Sequence, residues 1–305
     1  MCYSANNNND RAKLAAKLKK SVKDIATKNA VFLSGFNHPP MHIIKQEEPD
    51  VIDVAYWGLI PSFITEAEKA KEYFKKTLNA KAETIFEKVS FKSNILPRRC
   101  LIPLSGFYEW RDVNKVKFPY HISANKDDLF YVAGIYDYWT RKDTGKTFRS
   151  FSMVTTESNP LMTRIHNLKK RQPLMFDLEA GENWIRNDLK QDDIIELMQP
   201  TPQSFLKAHT INKINSDTDI ISDSILKPAE YPEVKRLDII EDFKVGQDFQ
   251  LTRITGRVIK FKLLHFTTPD KKIDMKEHNS GGFLSLDKLT DEELLSIKPI
   301  APEAA

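Results

Sequence analysis

Apolar residues recur at helical spacing close to the start of the chain. Residues 10–28, DRAKLAAKLKKSVKDIATK, carry apolar side chains at intervals of three or four, at Leu14, Leu18, Val22 and Ile25. That spacing gathers them on one face of a single amphipathic helix, with lysines on the other face. We interpret these lysines as solvated surface, with nucleic-acid contact as the alternative. Three more short helices are predicted, over 66–76, 179–189 and 191–198.

The middle of the chain has a different pattern. From VIDVAYWGLIPSF at residue 51 onward, short apolar runs are broken by Pro, Gly and Asn, and several alternate apolar with polar positions. This pattern predicts strands in CLIPLSGFYEW, FPYHISA, LFYVAGIYDYW and FRSFSMVTT. Because strands and helices do not alternate regularly, we predict an α+β domain built on a central antiparallel, barrel-like sheet flanked by short helices.

A change of organisation is predicted near residues 227–236, KPAEYPEVKR, where two prolines stand among charges. Beyond it, FQLTRITGRVIKFKLLHF indicates one or two strands with a turn at Thr255 and Gly256. DEELLSIK predicts a short helix, and PIAPEAA at the end a disordered tail. We therefore divide the chain into a domain over 2–237 and an extension of unknown role over 238–305.

Composition narrows the class of protein. No apolar run reaches the roughly 20 residues that span a bilayer, and MCYSANNNND does not resemble a secretory signal. Cys2 and Cys100 are the two cysteines of the sequence, which is too few for a disulfide framework, so a reducing cytoplasm is expected. A net charge of +4 permits a polyanionic partner without requiring one. The sequence has no metal-ligand or phosphate-loop motif, and we expect a monomer without metal or cofactor.

The second residue raises a chemical question. Chain termini are usually frayed and chemically idle. If Met1 is removed, however, Cys2 carries a free α-amine and a thiol on adjacent carbons, which no internal cysteine can offer. The alternative is that Cys2 is merely a small second residue that favours removal of Met1. Cys100 lies inside the apolar run CLIPL and is interpreted as an inert core thiol.

Three other positions are candidates for chemistry. Glu109 stands among Phe107, Tyr108 and Trp110, where desolvation would raise its pKa toward that of a general acid; a structural ion pair is the alternative. His166 lies among cations that favour its neutral form, although a lone histidine is more often structural. Asn79, at the start of a predicted helix or turn, could equally be a helix cap.

Taken in order, MC, YWGLIPSF, NAKAET, RRCLIPLSGFYEW and TRIHNLKKRQPLMF resemble the motifs of the SOS-response-associated peptidase family over roughly residues 2–235. Members of that family are abasic-site processing proteins of bacteria and animals. The resemblance implies that Cys2 is the nucleophile exposed by removal of Met1, and that Asn79, Glu109 and His166 complete the catalytic set. The chain departs from the family at MCYSANN, where MCGRF is common, and at the three extra residues 168–170.

The resemblance also bears on DNA binding. Lys81 stands where the family often has an arginine that contacts phosphate, and Trp57, Pro61 and Phe63 belong to a segment near the bound strand. Phosphate contacts are further expected from a set of arginines: Arg98, Arg99, Arg164 and Arg171. Because an abasic nucleotide has no base to be read, phosphate contacts and aromatic stacking would provide recognition.

The function implied is that of an abasic-site sensor acting on single-stranded DNA, associated with the nucleoid when bound. Cys2 would form a thiazolidine crosslink with the ring-opened sugar, with possible strand-cleaving lyase activity and autoproteolytic removal of Met1. Two alternatives stay open. One is an N-terminal-nucleophile amidohydrolase, which also exposes Cys2 but gives GFYEW and IHNLKKRQP no role. The other is a non-catalytic DNA-binding module, with which the lysine-rich helix and a pI of 8.8 agree.

Overall fold

The structure is a computed structural model of the whole chain. It describes residues 2–27, 29–242, 246–267, 272–277, 283–285 and 288–300. Met1 and residues 301–305, most of the expected disordered tail, lie outside these ranges.

The elements follow one another in a strand-rich order. The helices are α1 Arg11–Leu18, α2 Ala67–Lys76, α3 Pro160–Ile165, α4 Leu178–Trp184, α5 Gln191–Leu197, α6 Pro232–Asp242 and α7 Asp291–Leu295. The strands are β1 Ser4–Asn7, β2 Ser21–Val22, β3 Ala30–Ser34, β4 Pro40–Lys45, β5 Glu48–Trp57, β6 Asn79–Lys81, β7 Arg99–Leu104, β8 Gly106–Val113, β9 Val116–Ala124, β10 Phe130–Thr140, β11 Thr147–Glu157, β12 Arg171–Pro173, β13 Met175–Phe176, β14 Leu206–Thr210, β15 Asp248–Thr252, β16 Val258–Thr267, β17 Lys272–Glu277, β18 Phe283–Ser285 and β19 Lys298–Pro299.

The chain divides into two compact units. The larger comprises residues 1–112 and 119–227, and the smaller comprises residues 113–118 and 228–305. The division at 227/228 falls at the beginning of the proline-containing segment 227–236. Among the described residues, no helix is both long enough and apolar enough to cross a membrane.

A closed barrel of five strands forms the centre of the larger unit. β5, β4, β7, β10 and β11 pair in that order, and β11 pairs back onto β5. Four of these pairings are antiparallel, whereas β11 and β5 are parallel, with Ser150 opposite Tyr56 and Phe151 opposite Trp57. A ring with an odd number of strands cannot alternate direction all the way round, so one parallel pair is required. The predicted α+β class with a barrel-like sheet is confirmed.

The core covers both faces of the barrel strands. β10 is buried along almost its whole length, which a strand exposed on one face cannot be. Its residues Ala133 and Ile135 belong to one hydrophobic cluster with Leu14 of α1 and Trp184 of α4. The short helices therefore stabilise the barrel by packing their apolar sides against it.

A second sheet of the larger unit holds the N-terminal segment. Its strand order is β14, β9, β8, β1, β3, so β1 is an interior strand. Ala5 pairs with Phe107 of β8 on one side and with Leu33 of β3 on the other. The beginning of the chain is thereby fixed by backbone hydrogen bonds along both edges, in contrast to the usual frayed terminus.

The predicted helix over 10–28 is wrong beyond Leu18. Lys19 adopts a left-handed conformation with φ 53°, which ends the helix, and the chain then pairs with β5 as β2. Apolar Val22 follows the helical spacing but faces the core from this short strand. The helix predicted over 66–76 is confirmed by α2, and that over 191–198 by α5; α4 ends at Trp184, earlier than the predicted 189.

The smaller unit has its own sheet and core. Its strand order is β18, β17, β16, β15, β19, and Phe249, Leu251, Phe261 and Leu263 are buried in one cluster. Gly256, with φ +80°, lies in the turn between β15 and β16, which confirms the predicted turn. The helix predicted from DEELLSIK is confirmed by α7. β19 includes Pro299, so the disorder expected from that residue onward is wrong for Pro299, and residues 301–305 of the expected tail lie outside the described residues.

Candidate active site

Cys2 lies two residues before β1 and is held by that strand in the larger unit. Its side chain is buried, with only 1% of the residue exposed, and its Sγ donates to the carbonyl oxygen of Ser4 at 3.5 Å. Burial raises the pKa of the thiol, and the nearby carboxyl of Glu109 raises it further. The thiol is therefore neutral until a reaction or a neighbouring base removes its proton.

Asn79 fixes the backbone next to the thiol. Its Nδ2 donates to the carbonyl oxygen of Cys2 at 2.8 Å, and its buried Oδ1 has no hydrogen-bond partner. Asn79 begins β6, which runs parallel to β11, with Asn79 opposite Met153. The predicted turn follows three residues later as a 3₁₀ turn over Ala82–Thr84. An unpartnered amide oxygen beside a reactive residue is available to a hydrogen-bond donor of a substrate.

Trp57 supports the segment that carries Asn79. The indole is fully buried, stacks against Phe151 across the parallel pair of the barrel and donates from Nε1 to the carbonyl oxygen of Leu78 at 2.9 Å. Gly58 follows with φ +119°, a conformation that favours glycine, and a Cβ there would lie 2.4 Å from the carbonyl oxygen of Phe74. Trp57 and Gly58 thus help to position Asn79 through the backbone of Leu78, the residue that precedes it.

Glu109 lies on β8, the strand next to β1. Extending the antiparallel register of Ala5 with Phe107 places Glu109 opposite Tyr3, beside Cys2. The carboxyl group is buried, and its Oε1 has no hydrogen-bond partner. Desolvation raises the pKa of Glu109 from 4.5 to about 8, so the group is protonated at neutral pH.

His166 follows the last turn of α3 and faces Glu109. Its Nδ1 lies 3.0 Å from the carbonyl oxygen of Arg171, to which it donates, and its Nε2 lies 3.8 Å from Oε2 of Glu109. Burial lowers the pKa of His166 to about 4, although the hydrogen bond to Arg171 opposes this. Sequence reasoning attributed the neutral form to surrounding cations, whereas desolvation is the larger cause.

Glu109 and His166 therefore form a proton donor and a proton acceptor in contact range. At neutral pH the carboxyl group of Glu109 carries a proton, and the imidazole of His166 is neutral, with its Nε2 on the side of that carboxyl group. Two titratable groups whose pKa values are moved in opposite directions at one site are typical of acid–base catalysis. Cys2, Asn79, Glu109 and His166 come together as the sequence had suggested for a common site.

The residues expected to contact DNA divide into two groups. Lys81 is exposed and, with Asn79, lines a cleft of about 430 Å³ that also includes Lys76 and Lys88. Phe63 has 48% of its surface exposed and packs its ring edge against Tyr73. These side chains are accessible to a polyanion that approaches Asn79.

Other expected contacts are buried. Arg99 is fully buried, and its guanidinium donates to four backbone carbonyl groups, those of Ile95, Leu96, Trp184 and Arg186. A phosphate cannot reach it, so the expected phosphate contact by Arg99 is wrong; a charged side chain in the sequence gave no sign that local carbonyl groups would bury it. Trp57 and Pro61 are also buried, and neither offers a surface for stacking.

Two further arginines already have acidic partners. Arg98 donates to Asp137 at 2.6 Å, and Arg171 forms a bidentate pair with Glu83 at 2.5 and 3.0 Å. Arg164, in the last turn of α3, is partly exposed. In the described part of the chain, no group of three or more His, Cys, Asp or Glu side chains could hold a metal ion.

Sequence reasoning missed two residues of this region, Tyr3 and Phe36. Their rings are neighbours, with centroids 4.8 Å apart, and burial together with Glu109 and Cys2 raises the pKa of Tyr3. Tyr3 could have been found from the sequence, because it directly follows Cys2. Phe36 could not be linked to it without knowing that β1 and β3 are adjacent.

Comparisons with known proteins identify the family of this chain. A family model described as "SOS response associated peptidase (SRAP)" matches residues 1–216. Abasic site processing protein YoqW of Bacillus subtilis is 32% identical over 160 residues, which cover 52% of this chain and 68% of that protein. Abasic site processing protein HMCES of Xenopus tropicalis is 29% identical over 190 residues, which cover 54% of this chain and 56% of that protein.

Solved structures resemble the larger part of the chain. A protein from Bacteroides thetaiotaomicron has a TM-score of 0.72 and 33% identity, covering 75% of this chain and 100% of its own. A protein from Bordetella bronchiseptica has a TM-score of 0.61 with 20% identity, covering 70% of this chain and 100% of its own; this likeness concerns the fold alone.

Proposed function

The chain belongs to the SOS response associated peptidase family, and from that premise we propose that it captures abasic sites in single-stranded DNA through Cys2. The observation that carries the proposal is the surroundings of Cys2: Asn79 holds its carbonyl oxygen, and Glu109 lies beside its thiol. Relatives named as abasic site processing proteins support the same substrate. Removal of Met1, by the protein itself or by a cellular aminopeptidase, is the preceding step.

The reaction joins two atoms of Cys2 to one carbon of the sugar. The α-amine adds to the aldehyde carbon C1′ of the ring-opened sugar, and loss of the aldehyde oxygen as water gives an imine. The thiol then adds across the C=N bond: sulfur bonds to C1′ and the proton goes to nitrogen. The product is a five-membered thiazolidine, one water is released, and no oxidant or reductant is consumed. An α-amine is suited to this step because its pKa is far below that of lysine.

The buried neighbours would supply protons and geometry. Protonated Glu109 can donate a proton to the departing hydroxyl of the carbinolamine, which leaves as water. Neutral His166 can accept the thiol proton as sulfur bonds to C1′ and pass that proton to the carboxylate of Glu109, which restores its protonated form. Both groups have the required protonation states at neutral pH because burial moves their pKa values in opposite directions. Asn79 would orient Cys2 through its carbonyl oxygen and bind a sugar hydroxyl with its unpartnered Oδ1.

The DNA strand would be bound next to this centre. Lys81 lies two residues from Asn79 in the same cleft and would contact a backbone phosphate, and exposed Phe63 is available for stacking. A single strand suits a recessed nucleophile better than intact duplex, because the sugar must leave the stack. If the imine persists, loss of a C2′ proton and of the 3′ phosphate by β-elimination would give a weak lyase activity.

Intact-protein mass spectrometry tests this proposal. Wild-type protein should lack Met1, and with a single-stranded oligonucleotide carrying one abasic site it should give an adduct equal to the sum of both masses minus one water. Cys2→Ala should give no adduct, and Cys2→Ser at most a reversible imine. Cys100→Ala is the matched control, because it removes the other buried thiol and should leave the adduct intact.

Retention of Met1, or loss of the adduct in Cys100→Ala but not in Cys2→Ala, would refute the assignment. A parallel incubation with glutamine separates the rival enzyme class, since an N-terminal-nucleophile amidohydrolase would release ammonia and form no adduct with DNA.

A further inference from the structure

A pair of aromatic rings lies beside the proposed nucleophile, with Tyr3 half-buried and Phe36 exposed. Tyr3 is the next residue after Cys2, and its ring packs against Phe36 with centroids 4.8 Å apart and planes inclined by 32°. Phe36 leaves 62% of its surface exposed although it is one of the larger apolar side chains of the unit. One side of Phe36 is thus covered by Tyr3, and the rest is open to solvent.

The ring pair is mounted on a rigid support. The backbone N–H of Gly35 donates to the carbonyl oxygen of Tyr3 at 2.7 Å, which ties the turn over Gly35–Asn37 to the N-terminal segment. Gly35 lies so close to the indole of Trp57 that an added Cβ would be 3.1 Å from the ring. His38 closes the turn by donating its N–H to the carbonyl oxygen of Gly35 at 2.9 Å. The backbone that carries Phe36 is therefore held in place at both ends of this turn, which lowers the entropic cost of presenting the ring to a ligand.

We propose that the Tyr3–Phe36 pair stacks against the nucleobase adjacent to the abasic sugar and so makes capture depend on a base being present there. This inference rests on the proposed function, and the substrate feature that the site would select is the nucleobase next to the abasic sugar. An abasic sugar itself has no π face, but its neighbour in the strand does, whatever its sequence. Because Tyr3 directly follows Cys2, an adjacent base comes within reach when Cys2 contacts C1′.

The physical consequence is a preference among damaged sugars. Stacking on an aromatic side chain strengthens binding of single-stranded nucleic acid by about 5- to 150-fold per base. A lone abasic site between normal nucleotides receives this contribution, whereas a free sugar phosphate or a sugar flanked by base-free residues does not. The pair would therefore direct the reactive terminus to isolated lesions in a strand and away from small metabolite aldehydes.

The test compares flanking residues and ring variants. Single-turnover rates of adduct formation at subsaturating DNA are measured for oligonucleotides with one abasic site between two normal nucleotides, with tetrahydrofuran on its 5′ side, and with tetrahydrofuran on its 3′ side. Tetrahydrofuran keeps the phosphates but has neither base nor aldehyde. Wild-type protein should react about 10-fold more slowly when the base on one particular side is missing, and be indifferent to the other side.

The variants identify the ring that is responsible. Phe36→Leu should slow the reaction with the fully flanked oligonucleotide about 10-fold, and its rate should no longer depend on the neighbouring base. Phe36→Trp should restore the wild-type rate and its dependence on that base. Ile221→Ala, which truncates an apolar side chain that is 65% exposed, is the control and should behave as wild type. A Phe36→Leu protein that reacts normally with the oligonucleotide lacking the stacked base is demonstrably folded.

The outcomes separate the two proposals. If adduct forms at Cys2 at the same rate with and without neighbouring bases, or if Phe36→Leu retains the full sensitivity, the stacking proposal is refuted and covalent capture stands. If no adduct forms with any oligonucleotide, the proposed function itself fails.

Discussion

Replacing Glu109 by glutamine separates the energetic cost of burying this carboxyl group from its part in the chemistry. The amide has the shape of the protonated acid and cannot ionise. Glu109 is buried beside His166, and its pKa is raised from 4.5 to about 8 by desolvation. Between these two pH values the unfolded chain has lost the proton while the folded chain keeps it.

The sign of the effect follows from proton linkage. Since the folded state binds more protons than the unfolded state, the Glu109 contribution to the free energy of unfolding falls by about 1.4 kcal/mol per pH unit as the pH rises from 4.5 to 8. The accumulated loss is about 3 kcal/mol at pH 7 and about 4–5 kcal/mol above pH 8. Glu109→Gln should therefore be more stable than wild type at pH 8 by roughly that amount.

Urea unfolding at a series of pH values from 4.5 to 9 provides the measurement, with the free energy of variant minus wild type as the quantity plotted. The difference is needed because His166, whose pKa burial lowers to about 4, makes wild-type stability rise with pH up to its ordinary value of 6.5. That contribution opposes the one from Glu109 in the same range. It cancels in the difference as far as the two groups titrate independently.

Glu83→Gln is the control of opposite sign. Burial would raise the pKa of Glu83, but hydrogen bonds from Arg171 keep it below 4.5. Its contribution to stability is present above pH 4.5 and is lost in acid, so this variant should be less stable than wild type at neutral pH. Unfolding free energies of Glu109→Gln and wild type that run parallel from pH 5 to 9 would refute a protonated, buried Glu109.

Four other substitutions have expected outcomes. Arg99→Met should destabilise the fold by about 3–5 kcal/mol in urea unfolding, because buried carbonyl groups lose their donors. The same substitution should leave the salt dependence of DNA binding unchanged. Lys81→Gln, in contrast, should reduce by about 1 the slope of the logarithm of the DNA-binding constant against the logarithm of the salt concentration. Trp57→Phe should lose the hydrogen bond to Leu78, cost about 1 kcal/mol and slow adduct formation; an unchanged rate would contradict its positioning role. Gly58→Ala should lower stability by about 2–4 kcal/mol because of its positive φ and the neighbouring carbonyl oxygen; a loss below 0.5 kcal/mol would contradict that account.

The sequence predicted most elements because their patterns are local. The pattern of apolar runs identified the barrel strands β7, β10 and β11 but not β4, and α2 and α5 have both helical periodicity and correct lengths. The failure at residues 19–28 has a local cause that periodicity does not reveal: the left-handed Lys19 redirects Val22 into β2. The closing parallel pair could not be predicted, since no local pattern encodes which distant strands meet.

The residues of the candidate site and the direction of the Glu109 pKa shift were predictable, but the exposure of the arginines was not. The motifs brought Cys2, Asn79, Glu109 and His166 forward, and the raised pKa of Glu109 was expected from its aromatic neighbours. The burial of Arg99 was not expected, because tertiary packing decides whether a guanidinium faces solvent or backbone carbonyl groups. Cationic character alone is therefore a poor guide to DNA contacts in this chain.

The parallel closure of the barrel also affects how the protein is synthesised. Tyr56 and Trp57 emerge from the ribosome long before Ser150 and Phe151, with which they pair. At roughly 5–20 residues per second of translation, that end of β5 waits several seconds with an open edge, and such edges recruit other chains. β2 covers β5 at Val51 and Ile52 only. The nascent chain is open to intermolecular strand pairing at this edge for that interval, and slower elongation prolongs the exposure.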